Sequence, residues 1–412
     1  MEKYAAFTIC AKNYLAHAFT LKKSFLKNNP DYSFYIFLSD LPENLSGSEL
    51  EELTLPSTDW IPDWKNMAFK YNVIEYSTSI KPFCFDKLFK HNYARVIYLD
   101  PDIYVTSALQ SIYNNLNNYS IILSPHYCNI QTIYNGSISE EEILFVGIYN
   151  LGFTAIKNDT VGNKIISWWK NRLSEKCYAD KFDALHVDQK WMDFIPSFFP
   201  NETLITHHMG INPAIWNLHE RELTICDDNA FYIRDLQSNE LFPLLFFHFS
   251  GFDPFNPTII NRRHPKYNTK TYPSFIALFG EYISALYSNN YGHYSKMPYS
   301  FNSYEDGEII LPIHRRLFRV LKICEFNSDP FLLSGAFYCL MKKNKLLTRV
   351  KSSKFSIYSD KERQRKSFLL SLIIFTLILL KNFLGMKYYS SFLSYINDIS
   401  RLENQTFLMK EK

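Results

Sequence analysis

Two aspartates, Asp100 and Asp102, stand two residues apart at the end of the short apolar run 96–99. In an extended chain, side chains at positions i and i+2 point to the same side. Pro101 disfavours helix for Asp100 and keeps the pair extended. Two carboxylates directed at one spot repel each other, and a divalent cation that carries phosphates relieves this, since hard cations prefer oxygen ligands. The pattern therefore predicts either a metal site or a solvated Asp-Pro-Asp turn, and the pair alone does not distinguish them.

A second polar signal ends the apolar run 244–247, where His248 is followed by Ser250 and Gly251. A lone histidine in an apolar run is usually a hydrogen-bonded core residue. At the end of a strand, however, a metal can reach it. Gly251 would allow a backbone N–H to meet a phosphate.

Strand and helix patterns indicate how these residues are positioned. Short apolar, β-rich segments predict strands at 5–10, 33–38, 96–99 and 121–124. Apolar residues at helical spacing predict a helix over 15–26, and a further helix is expected over 81–90. Strand, loop, helix and strand in this order build a parallel βαβ unit, which binds ligands beyond the carboxyl ends of its strands. The loop with Ala11, Asn13 and Tyr14 lies at such an end, as a ligand contact or as a plain turn.

Further candidates lie along the chain, each with a simpler structural alternative. Lys81 begins a predicted helix and could reach a diphosphate, or it is a surface lysine. Gly152, beside Asn150, would permit close backbone approach to a ligand, or it belongs to a turn. Asp188 is either the N-cap of a short helix or a buried polar group facing a substrate.

Composition narrows the class of protein. A chain of 412 residues accommodates one large domain and a smaller one. Neither G-x-G-x-x-G nor G-x-x-x-x-G-K-[ST] occurs, which argues against a dinucleotide site or a P-loop. The net charge of +3 gives no reason to expect a nucleic-acid partner. Seven scattered cysteines without a C-x-x-C, and an N-terminus without a signal peptide, predict free thiols and a cytoplasmic location.

Four segments taken in order resemble the bacterial GT-A-fold glycosyltransferases, in the pattern of glycosyltransferase family 8. They are Tyr-Leu-Asp-Pro-Asp-Ile at 98–103, Asn-Leu-Gly-Phe at 150–153, Val-Asp-Gln-Lys-Trp at 187–191 and Phe-His-Phe-Ser-Gly at 247–251. The resemblance covers roughly residues 4–265. It implies an α/β fold of GT-A (Rossmann-like) type with a mostly parallel sheet, followed by a helical C-terminal region. The family's Lys-Pro-Trp after the histidine motif is absent, and Asp253-Pro254 stands there.

The resemblance also implies roles for single residues. Asp100 and Asp102 would bind Mn²⁺ or Mg²⁺ on a nucleotide-diphosphate sugar, and His248 would complete the metal site. The catalytic candidates beside the transferred sugar are Asn150, Asp188 and Gln189. The residues expected to bind the nucleotide sugar are Ala11, Asn13, Tyr14, Lys81, Asp100, Gly152 and Gly251.

The C-terminal part has a different composition. We predict a glycosyltransferase domain over 1–265, a helical extension over 266–340 and a basic and apolar segment over 341–412. Helices are expected over 272–287 and 311–341. From 341 to 366, ten Lys or Arg stand against two acids, and thirteen uncharged residues follow at 368–380. Thirteen residues fall short of the roughly 20 that span a bilayer. The pattern favours attachment to an anionic membrane surface, with burial and spanning as alternatives.

The function expected from these patterns is metal-dependent transfer of a hexose, with retained configuration, from a nucleotide sugar to a glycan, lipid-linked or protein acceptor in bacterial surface polysaccharide synthesis. A sugar nucleotidyltransferase shares the strand pattern but normally needs a glycine-rich N-terminal loop, which 11–14 lacks. A non-catalytic glycan-binding or membrane scaffold is the other alternative. The presence of Asp100, Asp102 and His248 together argues against it.

Overall fold

The computed structural model describes residues 3–136, 138–226, 230–262, 264, 267–322, 329–348 and 360–409. The chain forms two compact units, the first built from 1–64 and 73–299 and the second from 65–72 and 300–412. Cys324 and residues 349–359 of the basic segment lie outside the described residues.

The described strands are β1 (Lys3–Cys10), β2 (Ser33–Leu38), β3 (Leu53–Thr54), β4 (Tyr93–Leu99), β5 (Ile103–Val105), β6 (Ile121–Pro125), β7 (Tyr149–Lys157), β8 (Ala179–Asp180), β9 (Leu185–His186), β10 (Thr203–Ile205), β11 (Arg221–Ile225), β12 (Phe231–Asp235), β13 (Leu241–Pro243) and β14 (Phe246–His248). The described α-helices are α1 (Leu15–Asn28), α2 (Gly47–Glu51), α3 (Trp64–Lys70), α4 (Val73–Ser79), α5 (Lys81–Lys90), α6 (Gln110–Asn115), α7 (Glu140–Val146), α8 (Thr160–Lys176), α9 (Ile195–Phe198), α10 (Phe275–Ser288), α11 (Tyr291–Tyr294), α12 (Pro312–Val320), α13 (Ala336–Lys343) and α14 (Asp360–Ser400). Short 3₁₀ turns occur at Lys12–Tyr14, Lys190–Phe194, Ile215–Asn217, Ser300–Asn302 and Leu402–Leu408.

A seven-stranded sheet of order β10-β6-β7-β4-β1-β2-β3 forms the centre of the first unit. The pairings of β10 with β6, β4 with β1, β1 with β2 and β2 with β3 are parallel. Only β7 runs against its neighbours β4 and β6. The predicted fold class, a mostly parallel α/β sheet with a helical C-terminal region, is confirmed at this level.

Burial explains why the first βαβ unit folds where the sequence predicts it. The apolar stripe of α1 is fully buried in the main core of the unit, and its members are Leu15, Ala18, Leu21 and Phe25. Burial of one large apolar side chain contributes roughly 1.5–3 kcal/mol, so this face holds the helix in place. The strand β4 is buried from Val96 to Leu99, as its continuous apolar run predicts for an inner parallel strand.

A short antiparallel pair, β5 with β14, lies beside the edge where β4 ends. Its register sets His248 opposite Ile103. The backbone N–H of Phe249 donates to the carbonyl of Asp102 at 2.9 Å. The pairing therefore brings two segments that are far apart in sequence to one place.

The second unit is helical. Its core joins Phe69 to side chains of α12 and α13, which are Leu317, Phe318, Phe337 and Met341. The guanidinium of Arg315 donates to the carbonyls of Phe69, Tyr71 and Phe301 at 2.6–2.7 Å. These bonds satisfy backbone groups that would otherwise be buried unpaired.

The helix predicted over 272–287 is confirmed as α10, whereas a continuous helix over 311–341 is wrong. Two helices, α12 and α13, stand there, and residues 329–335 between them are turns. Pro330 restricts Asp329 to extended backbone, and Gly335 is the N-cap of α13. Helix α12 already ends at Val320, and Lys322 has a left-handed φ of +48°, so the interruption begins before Pro330.

Candidate active site

Asp100, Asp102 and His248 meet at the carboxyl edge of the central sheet. The Nε2 atom of His248 lies 3.2 Å from Oδ1 of Asp102 and 3.7 Å from Oδ2 of Asp100. One potential ligand atom from each residue lies within 4.8 Å of the other two. His248 is buried, whereas the carboxylates of Asp100 and Asp102 are 30% and 18% exposed. The three side chains that sequence patterns nominate as metal ligands are thus together and open to solvent on the carboxylate side.

The electrostatics of this cluster are those of a cation site. Burial raises the pKa of Asp100, against the opposing influence of nearby positive charge. Burial also acts to raise the pKa of Asp102, but His248, together with His17 and a backbone hydrogen bond, lowers it overall. Burial alone would lower the pKa of His248, and the Asp102 carboxylate raises it instead. A proton on His248 and a divalent cation are alternative ways to balance these carboxylates, so the donor set fits a metal ion.

A chain of hydrogen bonds orients the His248 ring. Its Nδ1 lies 3.1 Å from Oδ1 of Asn212, whose Nδ2 donates to Oδ1 of Asn150 at 3.0 Å. The Nδ2 of Asn150 lies 3.2 Å from Nε2 of His126, and Nδ1 of His126 lies 3.1 Å from the Ile148 carbonyl. Because a carbonyl only accepts, His126 donates from Nδ1 and accepts at Nε2. The same direction along the chain makes His248 donate from Nδ1, which leaves Nε2 facing the carboxylates, where it can bind a metal ion or carry a second proton.

Asn150 therefore supports the cluster. Its Oδ1 accepts from Asn212 and from the backbone N–H of Gly152 at 3.0 Å, and its Nδ2 faces His126. Hydrogen bonds of this kind, one step away from a metal-binding histidine, fix its tautomer and its direction. Direct contact of Asn150 with a transferred sugar stays a prediction.

Gly152 provides the space that the His248 ring occupies. A Cβ atom on Gly152 would lie 2.4 Å from Cε1 and 2.7 Å from Nδ1 of His248. The carbonyl of Gly152 also accepts the backbone N–H of Asp100 at 2.8 Å. The close approach expected at this glycine is made by a side chain of the same protein, and contact with a ligand stays a prediction.

Lys81 and Asp188 form a buried ion pair beside the cluster. The Nζ of Lys81 lies 2.5 Å from Oδ2 of Asp188 and donates to the Leu151 carbonyl at 2.8 Å. It also lies 4.0 Å from the ring centroid of Tyr98, whose hydroxyl donates to Oδ1 of Asp100 at 2.5 Å. Burial raises the pKa of Asp188, and Lys81 opposes that effect. Lys81 is thus neither a surface lysine nor free to move, and contact with a diphosphate stays a prediction.

Gln189 also binds the backbone of Leu151 in β7. Its Oε1 accepts the backbone N–H of Leu151 at 3.0 Å, and its Nε2 donates to the Val146 carbonyl at 2.9 Å. Gln189 is also the N-cap residue of the turn Lys190–Phe194, so the alternative that Asp188 caps this turn is wrong. Lys81 and Gln189 hold Leu151 by its carbonyl and its N–H, which fixes the segment that supports His248. Sugar contacts of Asp188 and Gln189 stay predictions.

The loop after β1 lies near the cluster. Ala11 is buried, Asn13 is half-buried, and Tyr14 is 37% exposed with its ring stacked on His17 at 4.7 Å between centroids. Asp102 acts electrostatically on both Tyr14 and His17. The loop is therefore close enough to take part in ligand binding, and its nucleotide contacts stay predictions.

Three side chains of this region escape the sequence analysis. Asn212 is hydrogen-bonded to His248. The Trp216 ring packs edge-on against His248, with 5.1 Å between the ring centroids. The buried indole N–H of Trp216 has no hydrogen-bond partner in the described part of the chain. Arg262, which acts electrostatically on Tyr14, has its backbone N–H bonded to the Gly251 carbonyl at 2.9 Å. Arg262 alone has a sequence signal, since it is the first basic residue after His248.

Gly251 adopts a left-handed conformation, with φ of +69°. A Cβ there would lie 2.7 Å from Nδ2 of Asn261, which donates to the Ser250 carbonyl at 2.7 Å. Glycine is therefore required by the turn itself. Its expected contact with a phosphate stays a prediction.

The known proteins to which the chain is similar are distant from it. No protein-family model matches the chain. "Uncharacterized protein YfnF" of Bacillus subtilis (strain 168) is 27% identical over 251 residues, which is 60% of this chain and 80% of YfnF. The galactosyltransferase LgtC, solved with donor and acceptor sugar analogs, is 15% identical with a TM-score of 0.38, over 68% of this chain and 95% of LgtC. The glycosyltransferase GlyE of Streptococcus pneumoniae TIGR4 is 16% identical with a TM-score of 0.40, over 77% of this chain and 73% of GlyE. Both structures are of glycosyltransferases, but likenesses this distant leave the activity of this chain to be inferred from its own site.

Proposed function

We propose that this chain is a metal-dependent glycosyltransferase of GT-A type, related to glycosyltransferase family 8, that transfers a sugar from a nucleotide-diphosphate donor. The observation that carries the proposal is the cluster of Asp100, Asp102 and His248 at the carboxyl edge of a mostly parallel sheet. Ligands bind beyond this edge in open α/β sheets. Two carboxylates and one imidazole suit Mn²⁺ or Mg²⁺.

Breaking the sugar–phosphate bond places negative charge on the departing diphosphate and positive charge on the sugar. A divalent ion held by Asp100, Asp102 and His248 would stabilise the diphosphate charge by several kcal/mol. Arg262 adds positive charge near Tyr14, in the loop that follows β1. The Lys81–Asp188 pair and Gln189 keep the strand segment around Leu151 rigid, so the metal ligands need little rearrangement during the reaction.

We propose that the sugar's configuration is retained, and the arrangement of Asp188 is compatible with this. An inverting reaction needs a general base near the acceptor hydroxyl. Asp188 is buried and its Oδ2 is bound by Lys81, so it is not available to take a proton from an acceptor. A front-face retaining reaction needs no such base. Proton NMR of the anomeric signal in the first product distinguishes the two outcomes.

For the acceptor we propose a glycan, lipid-linked or protein group of a bacterial surface polysaccharide pathway, reached from the cytoplasm. The +3 net charge gives no reason to propose a nucleic-acid partner. The loop at 11–14, which contains no glycine, favours a transferase over a nucleotidyltransferase.

The deciding experiment is calorimetric titration of nucleoside diphosphates and nucleotide sugars with Mn²⁺ and with chelator. The wild type should bind one nucleotide class only with the metal, and Asp102→Ala should lose that binding. Asp59→Ala, an exposed aspartate away from the cluster, is the matched control and should bind normally. Absence of metal-dependent binding by any donor, with the protein folded, would refute the transferase. Pyrophosphate-dependent exchange would identify a nucleotidyltransferase instead.

A further inference from the structure

The C-terminal helix α14 exposes a large apolar surface. Among the described residues, Leu369–Ser400 alone is long and apolar enough to cross a membrane by length and composition. Its most apolar window has a mean hydropathy of 2.1, and none of that window is buried. The thirteen-residue apolar stretch expected from the sequence is therefore part of a much longer helix, and its burial within the described part of the chain is excluded.

The part of α14 over 369–380 is apolar on every side. Most of its large side chains are 48–58% exposed, and these are Leu369, Leu370, Leu372, Ile373, Ile374, Phe375, Ile378 and Leu379. Residues this closely spaced cover the whole circumference of a helix. A helix that lies flat on a membrane needs a polar face, whereas a helix that is apolar all round belongs in a protein core or in hydrocarbon. This part is therefore suited to insertion and not to lying on a surface.

The helix is broken at Gly385, which has φ of +71° and ψ of 163°. After the break the pattern becomes amphipathic. One side of 386–400 holds the apolar positions Tyr389, Phe392, Leu393, Ile396 and Ile399, and the other holds Lys387, Ser390, Ser391, Ser394, Asn397 and Asp398. Tyr388 and Tyr395 are 65% and 69% exposed, and tyrosine is enriched where membranes meet water. The second part is suited to the interface.

Both ends of the helical region are attached to the same folded unit. Before it, Leu346 and Leu347 pack against the core of the second unit, and after it Met409 packs against the same core. Glu403 is bound by Arg319 and lies 3.5 Å from Arg316. A single crossing would put these two attachments on opposite sides of a membrane. The seventeen residues from 368 to Leu384 also reach only about 26 Å, against about 30 Å of hydrocarbon.

We propose that α14 enters one leaflet of an anionic bilayer, bends at Gly385 and returns along the interface to the side from which it came. Lipid is the occupant that the charges favour, because ten basic residues against two acids precede the apolar part, and Lys381 and Lys387 flank its end. The inference is independent of the transferase proposal, since it uses none of the site residues.

Flotation of the full chain with phosphatidylcholine vesicles, with and without phosphatidylglycerol, tests the partner. The protein should float, and more strongly with the anionic lipid. Ile373→Lys should lower the vesicle partition coefficient by about a hundredfold, since a lysine at the centre of an inserted helix is strongly disfavoured. Ile276→Lys, on an exposed apolar residue of α10, is the matched control and should float like the wild type. A wild type that stays with the soluble fraction, or that only self-associates through α14, overturns the proposal.

Labelling from outside sealed vesicles tests the path of the helix. Cys339 is an exposed native thiol before α14, and Asn404→Cys introduces one in an exposed position after it. With a membrane-impermeant maleimide and peptide mapping, both thiols should be labelled to the same extent. Labelling at 339 together with protection at 404 would mean that the helix crosses the bilayer, and would refute the re-entrant path.

Discussion

Replacing Asn212 with alanine should weaken Mn²⁺ binding by about ten- to a hundredfold, or about 1.4–2.7 kcal/mol. Asn212 is 1% exposed, and its side chain both accepts from His248 and donates to Asn150. Without it, His248 can rotate or take the other tautomer, so its Nε2 lone pair is no longer held toward Asp102. The lost bonds should also cost about 1–3 kcal/mol of unfolding free energy, because two buried polar groups lose a partner.

Two further variants separate orientation of the ring from backbone strain. Asn212 has φ of +57°, which alanine tolerates poorly and glycine tolerates well. Asn212→Gly should therefore recover stability but not metal affinity. Asn212→Asp keeps an acceptor for the Nδ1–H of His248 and should recover most of the affinity.

Electron paramagnetic resonance of free Mn²⁺ measures the affinity directly, and urea unfolding measures the stability. Asn163→Ala, at an exposed asparagine on α8, is the matched control. Wild-type affinity in a folded Asn212→Ala protein, or failure of Asn212→Asp to recover it, would refute the orienting role of Asn212.

Three other perturbations test the surroundings of the cluster. Gly152→Ala should abolish Mn²⁺ binding measured by the same resonance assay, because its Cβ would lie 2.4 Å from the His248 ring; unchanged binding would contradict the close packing. Lys81→Met should cost about 3–5 kcal/mol in urea unfolding, since it leaves Asp188 buried and unpaired, and adding Asp188→Leu should recover most of the loss. Burial lowers the pKa of His17 to about 4. The unfolded chain therefore binds a proton at this residue below about pH 6.5, whereas the folded chain binds it only near pH 4. The free energy of unfolding should therefore fall as the pH is lowered from 7 toward 4, and this group should account for about 2 kcal/mol of the loss by pH 5. A His17→Gln protein whose unfolding free energy falls equally steeply with pH would contradict this.

Local patterns determined much of this structure. The strand at Ser33–Leu38 and the helix at Lys81–Lys90 have the bounds that apolar spacing and the flanking residues predict. The Asp-x-Asp pair follows β4 because a continuous apolar run makes a buried strand and the polar residues after it must lie at its end. These features depend on neighbours within a few residues, so a single sequence contains them. Apolar spacing does not predict the end of α12 at Val320, because apolar residues continue beyond it.

Tertiary structure alone decided how the cluster is held and where the last helix returns. Asn212 stands 36 residues from His248 and 62 from Asn150, and Lys81 stands 107 from Asp188. Nothing in the spacing of such residues predicts their contact, because sheet order and the β5–β14 register bring them together. Likewise, the composition of α14 indicates hydrocarbon, but the contacts of Glu403 and Met409 with the second unit decide that both ends lie on one side. Residue type is set by the sequence, whereas partners are set by the packing of segments distant along it.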